Sequence, residues 1–250
     1  SFQLLWCQGF PPARFPCPRQ TNKKPASMAS MDADRLLKTL STLLEGLRTG
    51  SSVKVFRRGE ERILRISWLN IVHDPEVYRA LARCISLDVA NKGYVFDAVA
   101  SVETSGAKYG VAVSYELNKP YFSIYKAGKV VFESPVSVVE RSVTEGRDVV
   151  LHLDESAVSG FRDVLLIDDI RRSSRTLNAA VGLLERCGLR VAGCYVILDL
   201  AFAGFPRPSK IPADRYHPLF VVEEVGEMGR CRVSEGVALR VMEQLQRPVS

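Results

Sequence analysis

The stretch that decides the fold is Asp163-Val-Leu-Leu-Ile-Asp168-Asp169-Ile-Arg-Arg-Ser-Ser-Arg-Thr176-Leu177. Its apolar run, 163–167, predicts a buried strand whose carboxyl end carries two adjacent carboxylates, Asp168 and Asp169. A polar loop follows, and a helical pattern begins directly after it over 176–187, with Gly188 as its stop. A strand that passes through a short loop into a helix is the building unit of a parallel sheet.

Strand and helix patterns alternate on both sides of this stretch. A helix over 107–117 separates the first two strands, and residues 126–148 predict a hairpin and an exposed loop. A proline-rich loop over 201–217 precedes the last strand, and a final helix is predicted over 234–245. Successive strand-helix-strand units predict an α/β fold, a mostly parallel twisted sheet flanked by helices. The other strands are predicted over 95–102, 121–125, 149–153, 191–200 and 219–225.

The N-terminal part has a different pattern. Leucines at helical spacing predict an amphipathic helix over 32–47, and weak alternation around Arg58-Gly59-Glu60 predicts a hairpin over 52–66. Asp74-Pro75 begins a second helix, which we expect to run to about Leu87. Residues 1–30 are rich in proline and lack periodicity. We therefore expect a disordered extension over 1–30, a helix and hairpin over 31–72, and the main domain over 73–250.

Composition narrows the classes of function. The chain has 250 residues, 46% of them hydrophobic and 25% charged, which is typical of a soluble globular protein. No apolar run approaches the roughly 18 residues of a membrane span. The net charge of +6 is concentrated in residues 1–30, which hold four basic and no acidic residues, so 30 basic and 28 acidic residues remain from Met31 onward. Binding to nucleic acid is therefore not expected from composition.

The cysteines and histidines indicate neither a zinc site nor a disulfide framework. The six cysteines include no Cys-x-x-Cys, and His73, His152 and His217 are far apart in the sequence. Cys187 and Cys194 fall in apolar patterns, where buried inert thiols are the simplest interpretation. A reducing, cytoplasmic setting is expected.

Two strand ends carry the residues suited to chemistry. Ligands of an open parallel sheet bind beyond the carboxyl ends of its strands. At the first end, backbone N–H groups and a helix N-terminus suit a phosphate, and Asp168-Asp169 suit ligand hydroxyls or a hydrated Mg²⁺. The second is Glu103-Thr104-Ser105-Gly106, where Gly106 permits a tight turn into a helix. The alternative at the first end is that Asp168 is merely exposed and Asp169 caps the loop, and at the second end it is a capping turn. Together the two ends predict an anion-lined crevice.

These motifs resemble a known family. Asp163–Leu177 resembles the 5-phosphoribosyl-1-pyrophosphate (PRPP) motif of type I phosphoribosyltransferases, and Asp97–Lys129 looks like the pyrophosphate-loop region of adenine phosphoribosyltransferases. The resemblance covers about residues 70–200. It implies a type I phosphoribosyltransferase-like fold with a small N-terminal hood, Mg²⁺ as cofactor and a homodimer. The implied reaction transfers the phosphoribosyl group of PRPP to a nucleobase and releases pyrophosphate, in nucleotide salvage or synthesis.

The resemblance also implies roles for individual residues. Asp168 and Asp169 would lie beside the ribose hydroxyls and help position Mg²⁺ indirectly, through water or the ribose. Glu140, with the loop that runs on to Asp148, would belong to a lid over the site. The residues that would hold the two phosphate ends of PRPP are Ser173, Ser174, Arg175 and Thr176 for the 5-phosphate, and Glu103, Thr104, Ser105, Gly106, Lys126 and Lys129 for the pyrophosphate.

The chain departs from the family at the phosphate loop. Ser174 and Arg175 stand where the family has two glycines, whose left-handed conformations cost other residues on the order of 1–2 kcal/mol. Either Arg171, Arg172 and Arg175 recruit the phosphate through their side chains, or the protein is a non-catalytic regulator or sensor of PRPP or a nucleotide. A merely solvated loop is the third interpretation.

Further departures affect the leaving group and the base. Tyr125 and Ser105 replace basic residues of adenine enzymes, and the segment 140–148 lacks their Tyr-Gly pair. The nucleobase is therefore left open. Residues 50–72 are candidates for the hood, where Trp68 or Phe56 would stack on a base, although core packing is the default for such aromatics.

Overall fold

A computed structural model describes residues 26–58, 61–71, 74–126, 131–140, 148–234 and 236–247. The N-terminal part comprises α1 (Ala26–Thr49), a hairpin of β1 (Val53–Arg58) and β2 (Glu61–Ile66), a one-turn π-helix (Ser67–Ile71) and α2 (Pro75–Lys92). The predicted hairpin forms; it is antiparallel, with Val53 opposite Ile66. The carboxylate of Asp74 caps α2 by accepting a hydrogen bond from the Glu76 N–H, as predicted.

The middle of the chain contains the first crossover. It comprises β3 (Ala98–Val102), α3 (Ser105–Leu117), β4 (Tyr121–Ile124), a second antiparallel hairpin of β5 (Pro135–Glu140) and β6 (Val149–Asp154), and the short α4 (Glu155–Val158). A hairpin therefore forms in this region, but it pairs residues 135–140 with the strand predicted separately at 149–153 instead of lying within 126–148. Residues 141–147, between the two strands, lie outside the described residues.

The C-terminal part completes the sheet. It comprises β7 (Asp163–Arg171), α5 (Arg175–Arg186), β8 (Arg190–Asp199), β9 (Tyr216–Val225), β10 (Cys231–Ser234) and α6 (Val237–Gln246). The main sheet has the order β10-β9-β8-β7-β3-β4, and every neighbouring pair is parallel except β10 with β9. The predicted mostly parallel α/β sheet is confirmed.

Two apolar layers cover the sheet. The central strands β7 and β8 are buried along most of their length, as expected when helices cover both faces. One layer contains buried side chains of α1, α2, α3 and α6, and the other contains those of α5 and the β5–β6 hairpin. None of the helices in the described ranges is both long and apolar enough to span a bilayer.

The main differences from prediction are at element ends. β7 continues through Asp168 and Asp169 to Arg171, because its ladder with β8 extends to the pair Arg171 and Asp199. A sequence pattern ends the strand at the first carboxylate, but backbone pairing does not depend on side-chain polarity. β10 was not predicted, and α2 runs to Lys92, where Gly93 at φ 64° ends it.

Candidate active site

The two predicted strand ends meet. β3 and β7 are parallel neighbours with Ser101 opposite Ile167, so the turn after β3 lies beside the end of β7. In this turn the Glu103–Thr104 peptide is cis, and α3 begins at Ser105. Thr104 and Ser105 are exposed, and the buried Gly106 packs against Asp168. The predicted crevice between the two strand ends is therefore present.

Asp168 and Asp169 differ in environment although they are adjacent. Asp168 is buried, and its Oδ1 accepts a hydrogen bond of 3.0 Å from the N–H of Asp169. Burial, and then the charge of Asp169, raise the pKa of Asp168 well above its ordinary value, while Lys126 opposes the shift. Asp169 is only partly buried, because side chains of successive strand residues point to opposite faces. The pair therefore offers one carboxylate that holds its proton strongly and one that is partly open to solvent.

The phosphate loop adopts the backbone conformation for which glycine is the usual residue. Ser174 has φ 62° and is the N-cap of α5. Its hydroxyl donates to the Pro206 carbonyl at 2.7 Å, which ties the loop to the segment after β8. The first backbone bond of α5 that involves Ser174 runs from Asn178 N–H to Ser174 O, so the preceding N–H groups form the helix N-terminus that suits an anion.

Arg171 is directed into the protein. It is buried, and it forms an ion pair with the buried Asp199, to which Tyr216 also donates a hydrogen bond of 2.7 Å. Its Nη1 donates to the carbonyls of Arg172 and Phe205, at 3.1 and 3.0 Å. The prediction that Arg171 recruits phosphate through its side chain is therefore wrong, and so is the prediction that it belongs to a solvated loop. It holds the first residue of the phosphate loop in place.

Arg172 and Arg175 have different surroundings. Arg172 is exposed and lies over the Phe205 ring, with its guanidinium carbon 5.8 Å from the ring centroid. Arg175 is partly buried, and its Nη2 donates to the Glu140 carbonyl at 3.1 Å. Glu140 is the last residue of β5, so this bond joins the start of α5 to the base of the segment predicted to be a lid. The structure thus brings Glu140 to the phosphate loop through its backbone.

The other predicted residues occupy the following places. Lys126 is exposed and close enough to Asp168 to lower the pKa of that carboxyl. The backbone of Tyr125, the residue before it, pairs with His152 of β6 at 2.9 Å. Ser173 and Thr176 are partly buried on either side of Ser174 and Arg175. Lys129 and residues 141–147 lie outside the described residues.

Sequence reasoning missed Lys108. This residue lies on the first turn of α3 and is partly buried. Its Nζ donates to the Leu69 carbonyl of the π-helix at 3.1 Å. Burial lowers the pKa of Lys108, and the charge of Asp169 acts in the opposite direction, so a cation lies within electrostatic reach of the crevice. The missed signal is the position of Lys108 one helical turn after Thr104.

The two candidate aromatic residues have opposite outcomes. Trp68 is buried and packs edge-to-face on Phe220, with ring centroids 6.1 Å apart, so core packing is confirmed for it. Phe56 is 48% exposed, so the prediction of core packing is wrong for Phe56.

The four described cysteines are free, and burial raises the pKa of Cys194 well above its ordinary value, which agrees with an inert thiol. Cys187 is only partly buried.

The sequence of this chain is similar to those of known phosphoribosyltransferases. Residues 67–235 match the family model described as phosphoribosyl transferase domain. The adenine phosphoribosyltransferase of Chlorobaculum tepidum is 31% identical over 159 residues, which cover 63% of this chain and 86% of the relative. That of Corynebacterium jeikeium is 28% identical over 220 residues, or 86% and 99% of the two chains. The match to the enzyme of Jannaschia is 34% identical but spans only 61% of that relative and 45% of this chain.

Solved structures share the fold at low sequence identity. Adenine phosphoribosyltransferase from Thermoanaerobacter pseudethanolicus has a TM-score of 0.60 at 18% identity, and the match covers 73% of this chain and 98% of that one. The Trypanosoma brucei enzyme, in complex with AMP, pyrophosphate and ribose-5-phosphate, has a TM-score of 0.53 at 22% identity over 72% and 74% of the two chains. With a family model that covers most of its length, this chain belongs to the phosphoribosyltransferase family.

Proposed function

We propose that this protein transfers the phosphoribosyl group of PRPP to a purine base, with adenine as the first candidate, and releases pyrophosphate. The observation that carries the proposal is the crevice in which Asp168 and Asp169, the N-terminus of α5 and the Gly106 turn come together. The names of the sequence relatives support adenine, and AMP, pyrophosphate and ribose-5-phosphate are the ligands of the T. brucei structure.

The phosphate loop is proposed to hold the 5-phosphate. The N–H groups at the start of α5 supply hydrogen bonds, and the positive end of the helix dipole favours the anion. The hydroxyls of Ser173 and Thr176 flank this position. Ser174 contributes through its backbone, because its hydroxyl is bonded to Pro206. The guanidinium of Arg175 lies at the edge of the loop, where it adds positive charge.

The two carboxylates are proposed to hold the ribose and to orient Mg²⁺. Among the described residues no three Asp, Glu, His or Cys side chains form a metal cluster. Mg²⁺ commonly keeps several waters and binds one or two carboxylates together with substrate phosphates, so the Asp168-Asp169 pair fits an ion that arrives with PRPP. When bound, Mg²⁺ neutralises charge on the pyrophosphate. Asp168 and Asp169 accept hydrogen bonds from the ribose hydroxyls or from the waters of the ion.

The turn after β3 is proposed to bind the pyrophosphate. The exposed Thr104 and Ser105 supply hydroxyl and N–H donors, and Glu103 and Gly106 shape the turn. Lys126 and Lys129 supply positive charge from the segment after β4. Lys108 supplies a further charge from α3, on the side where Ser105 offers none.

In the proposed reaction the protein holds the base and PRPP in the positions from which they react. A ring nitrogen of the base forms a bond to the anomeric carbon, while the bond from that carbon to the pyrophosphate oxygen breaks. Charge builds up on the ribose ring and on the leaving group, so the protein acts by aligning the reactants and stabilising that charge. Glu140 and the segment that follows it are proposed to close over the site and exclude water.

We also propose a domain organisation, a dimer interface and a cellular setting. Residues 31–72 act as a hood over the base, and residues 73–250 form the catalytic domain. Two copies associate through α3, where Tyr115 is 89% exposed and Val111 also faces solvent. The protein acts in the cytoplasm, in keeping with its free described cysteines.

Calorimetry with PRPP and Mg²⁺ is the first test. Micromolar binding followed by pyrophosphate release with adenine supports the proposal, and guanine, hypoxanthine and orotate test the choice of base. Binding without pyrophosphate release for any base would instead support a sensor of PRPP, the function that the Ser174-Arg175 loop favours. Absence of binding up to millimolar PRPP would contradict the transferase.

A further inference from the structure

The β1–β2 hairpin carries a local excess of positive charge. Residues 53–66 contain five basic residues (Lys54, Arg57, Arg58, Arg62 and Arg65) and two acidic ones (Glu60 and Glu61), a net of +3. From Met31 onward the chain has 30 basic and 28 acidic residues, a net of +2. The hairpin is therefore strongly basic, and the other residues from Met31 onward together carry a slight negative charge.

The strand register sorts the hairpin residues onto two faces. Val53 and Ile66 are opposite each other and buried, so their face is directed toward the body of the protein. Lys54 is opposite Arg65, and Phe56 is opposite Ile63, on the outward face. Like charges directly opposite each other destabilise an antiparallel pair. This face therefore places Lys54 and Arg65 together beside Phe56, and the repulsion between the two cations lowers the stability of the hairpin.

The outward face is available for binding. Phe56 is 48% exposed, Ile63 is 40% exposed, and Lys54 and Arg65 are exposed. Neither Lys54 nor Arg65 has an ion-pair partner in the part of the chain that the structure describes. Other exposed arginines do pair with carboxylates: Arg79 with Glu76, Arg83 with Glu116, and Arg190 with Asp163.

A groove adjoins this face and provides room for a ligand. It has a volume of about 800 Å³ and lies between β1 and the turn after β9. Phe56, Arg57 and the exposed Met228 line it. β9 is separated from β7 by β8, so the groove lies two strands away from Asp168 in the sheet. None of the residues that line this groove is among those proposed to bind PRPP, although the hairpin belongs to residues 31–72, the proposed hood.

We propose that the outward face of the β1–β2 hairpin, with its groove, binds single-stranded nucleic acid. Exposed aromatic rings stack on unpaired bases, and lysine and arginine contact the phosphates that connect them. The carboxylates of an acidic peptide would pair with the cations, but they would leave the apolar Phe56 and Ile63 side chains without a stacking or apolar partner. A duplex would offer phosphates but no unstacked base.

Fluorescence anisotropy with a labelled 12-nucleotide oligouridine tests this proposal. The full chain is used with saturating AMP, so that a nucleotide already fills the proposed crevice. F56A is expected to weaken binding about 5- to 150-fold, in line with the loss of one base stack. K54Q/R65Q is expected to reduce the slope of log affinity against log salt by about 1.4, because each phosphate contact on a single strand contributes roughly 0.7.

The matched control is K92Q/K119Q. These two exposed lysines lie at the opposite edge of the sheet, before β3 and β4, and their substitution changes the net charge equally. The control should bind like the unmodified protein, and circular dichroism should show that all variants are folded. The proposal is overturned if the oligonucleotide does not bind, or if it binds only when AMP is left out. It is also overturned by equal affinity for polyglutamate, by preference for a duplex, or by an equal effect of the control. None of these outcomes depends on the calorimetry with PRPP.

Discussion

Gly106 and Asp168 are so close that a β-carbon at position 106 would stand 2.9 Å from Oδ1 of Asp168. Asp168 is a buried side chain at the end of β7, so it has little freedom to move aside. The absence of a side chain at Gly106 is therefore what lets the two strand ends share one crevice.

We expect G106A to displace the Asp168 carboxylate and to weaken PRPP binding at least about 10-fold, which corresponds to roughly 1.4 kcal/mol. Calorimetry with PRPP and Mg²⁺ measures the loss. G182A is the matched control, since Gly182 also lies in a helix but an added β-carbon meets only the flexible end of Lys210. Unchanged binding by G106A would show that the position of Asp168 does not matter for PRPP.

D168N is expected to stabilise the protein at neutral pH while it removes turnover. The pKa of Asp168 is raised in the folded protein, mainly by burial, so its stabilising effect is complete at low pH and is lost as the pH rises through that pKa. Asparagine removes the buried charge and keeps an oxygen that accepts the Asp169 N–H. Each kcal/mol gained should raise the melting temperature by roughly 2–4 °C. A lower melting temperature at pH 7 would contradict this account, and the gain should shrink at pH 4.

D169N is expected to lower the pKa of Asp168. The charge of Asp169 is the second cause of the raised pKa, after burial, and the substitution removes it. The titration of the Asp168 carboxyl carbon, followed by ¹³C NMR, should therefore shift to lower pH. E103Q serves as a control for a carboxylate in the same crevice that is not among the causes of the shift. A shift to higher pH in D169N would contradict this account, because the backbone N–H of residue 169 is present in both proteins and only the charge is removed.

Two substitutions of Ser174 separate backbone strain from the side-chain bond. S174A loses the hydrogen bond to Pro206 and keeps the positive φ, so we expect a loss of about 0.5–1.5 kcal/mol. S174G loses the same bond but relieves about 1–2 kcal/mol of left-handed strain. Urea unfolding should therefore place S174G above S174A by about 1–2 kcal/mol. Equal stabilities would show that Ser174 carries no strain.

R171M is expected to destabilise the protein strongly. It leaves the buried Asp199 without its cation, a change that costs about 3–5 kcal/mol in other buried pairs. R171M/D199L removes both charges and should recover much of this loss, although Tyr216 then loses its acceptor. Urea unfolding of the two single variants and the double variant measures the coupling. Losses that simply add would show that the ion pair contributes no coupling free energy.

Much of the fold could be predicted because buried parallel strands are continuous apolar runs and α2, which precedes the sheet, has a clear N-terminal cap. Asp74-Pro75 and the Asp163–Ile167 run are such local signals. The Arg171–Asp199 pair had no local signal, because its members are 28 residues apart and meet only across neighbouring strands. The contact of Arg175 with the Glu140 carbonyl could not be predicted either, since every residue has a backbone carbonyl and the residue type does not show which one is bound.

The site was predicted where function depends on residue type, as for Asp168, Asp169 and the turn at Gly106. Prediction failed where exposure depends on distant packing: Phe56 and Trp68 look alike in sequence, but only Trp68 has Phe220 against it. Lys108 was missed because its importance comes from the Leu69 carbonyl and from Asp169, which belong to other elements.

The Arg171–Asp199 pair also constrains how this loop can change over generations. A lineage that loses either charge first passes through a chain with an unmatched buried ion, which is less stable than the chain that keeps both charges. Arg171 also holds the carbonyls of Arg172 and Phe205, so its loss frees the start of the phosphate loop and the segment after β8 at once. Glycine at 174 or at 175 requires one substitution at each position, but replacing the ion pair beneath the loop without leaving an unmatched buried charge requires two substitutions together.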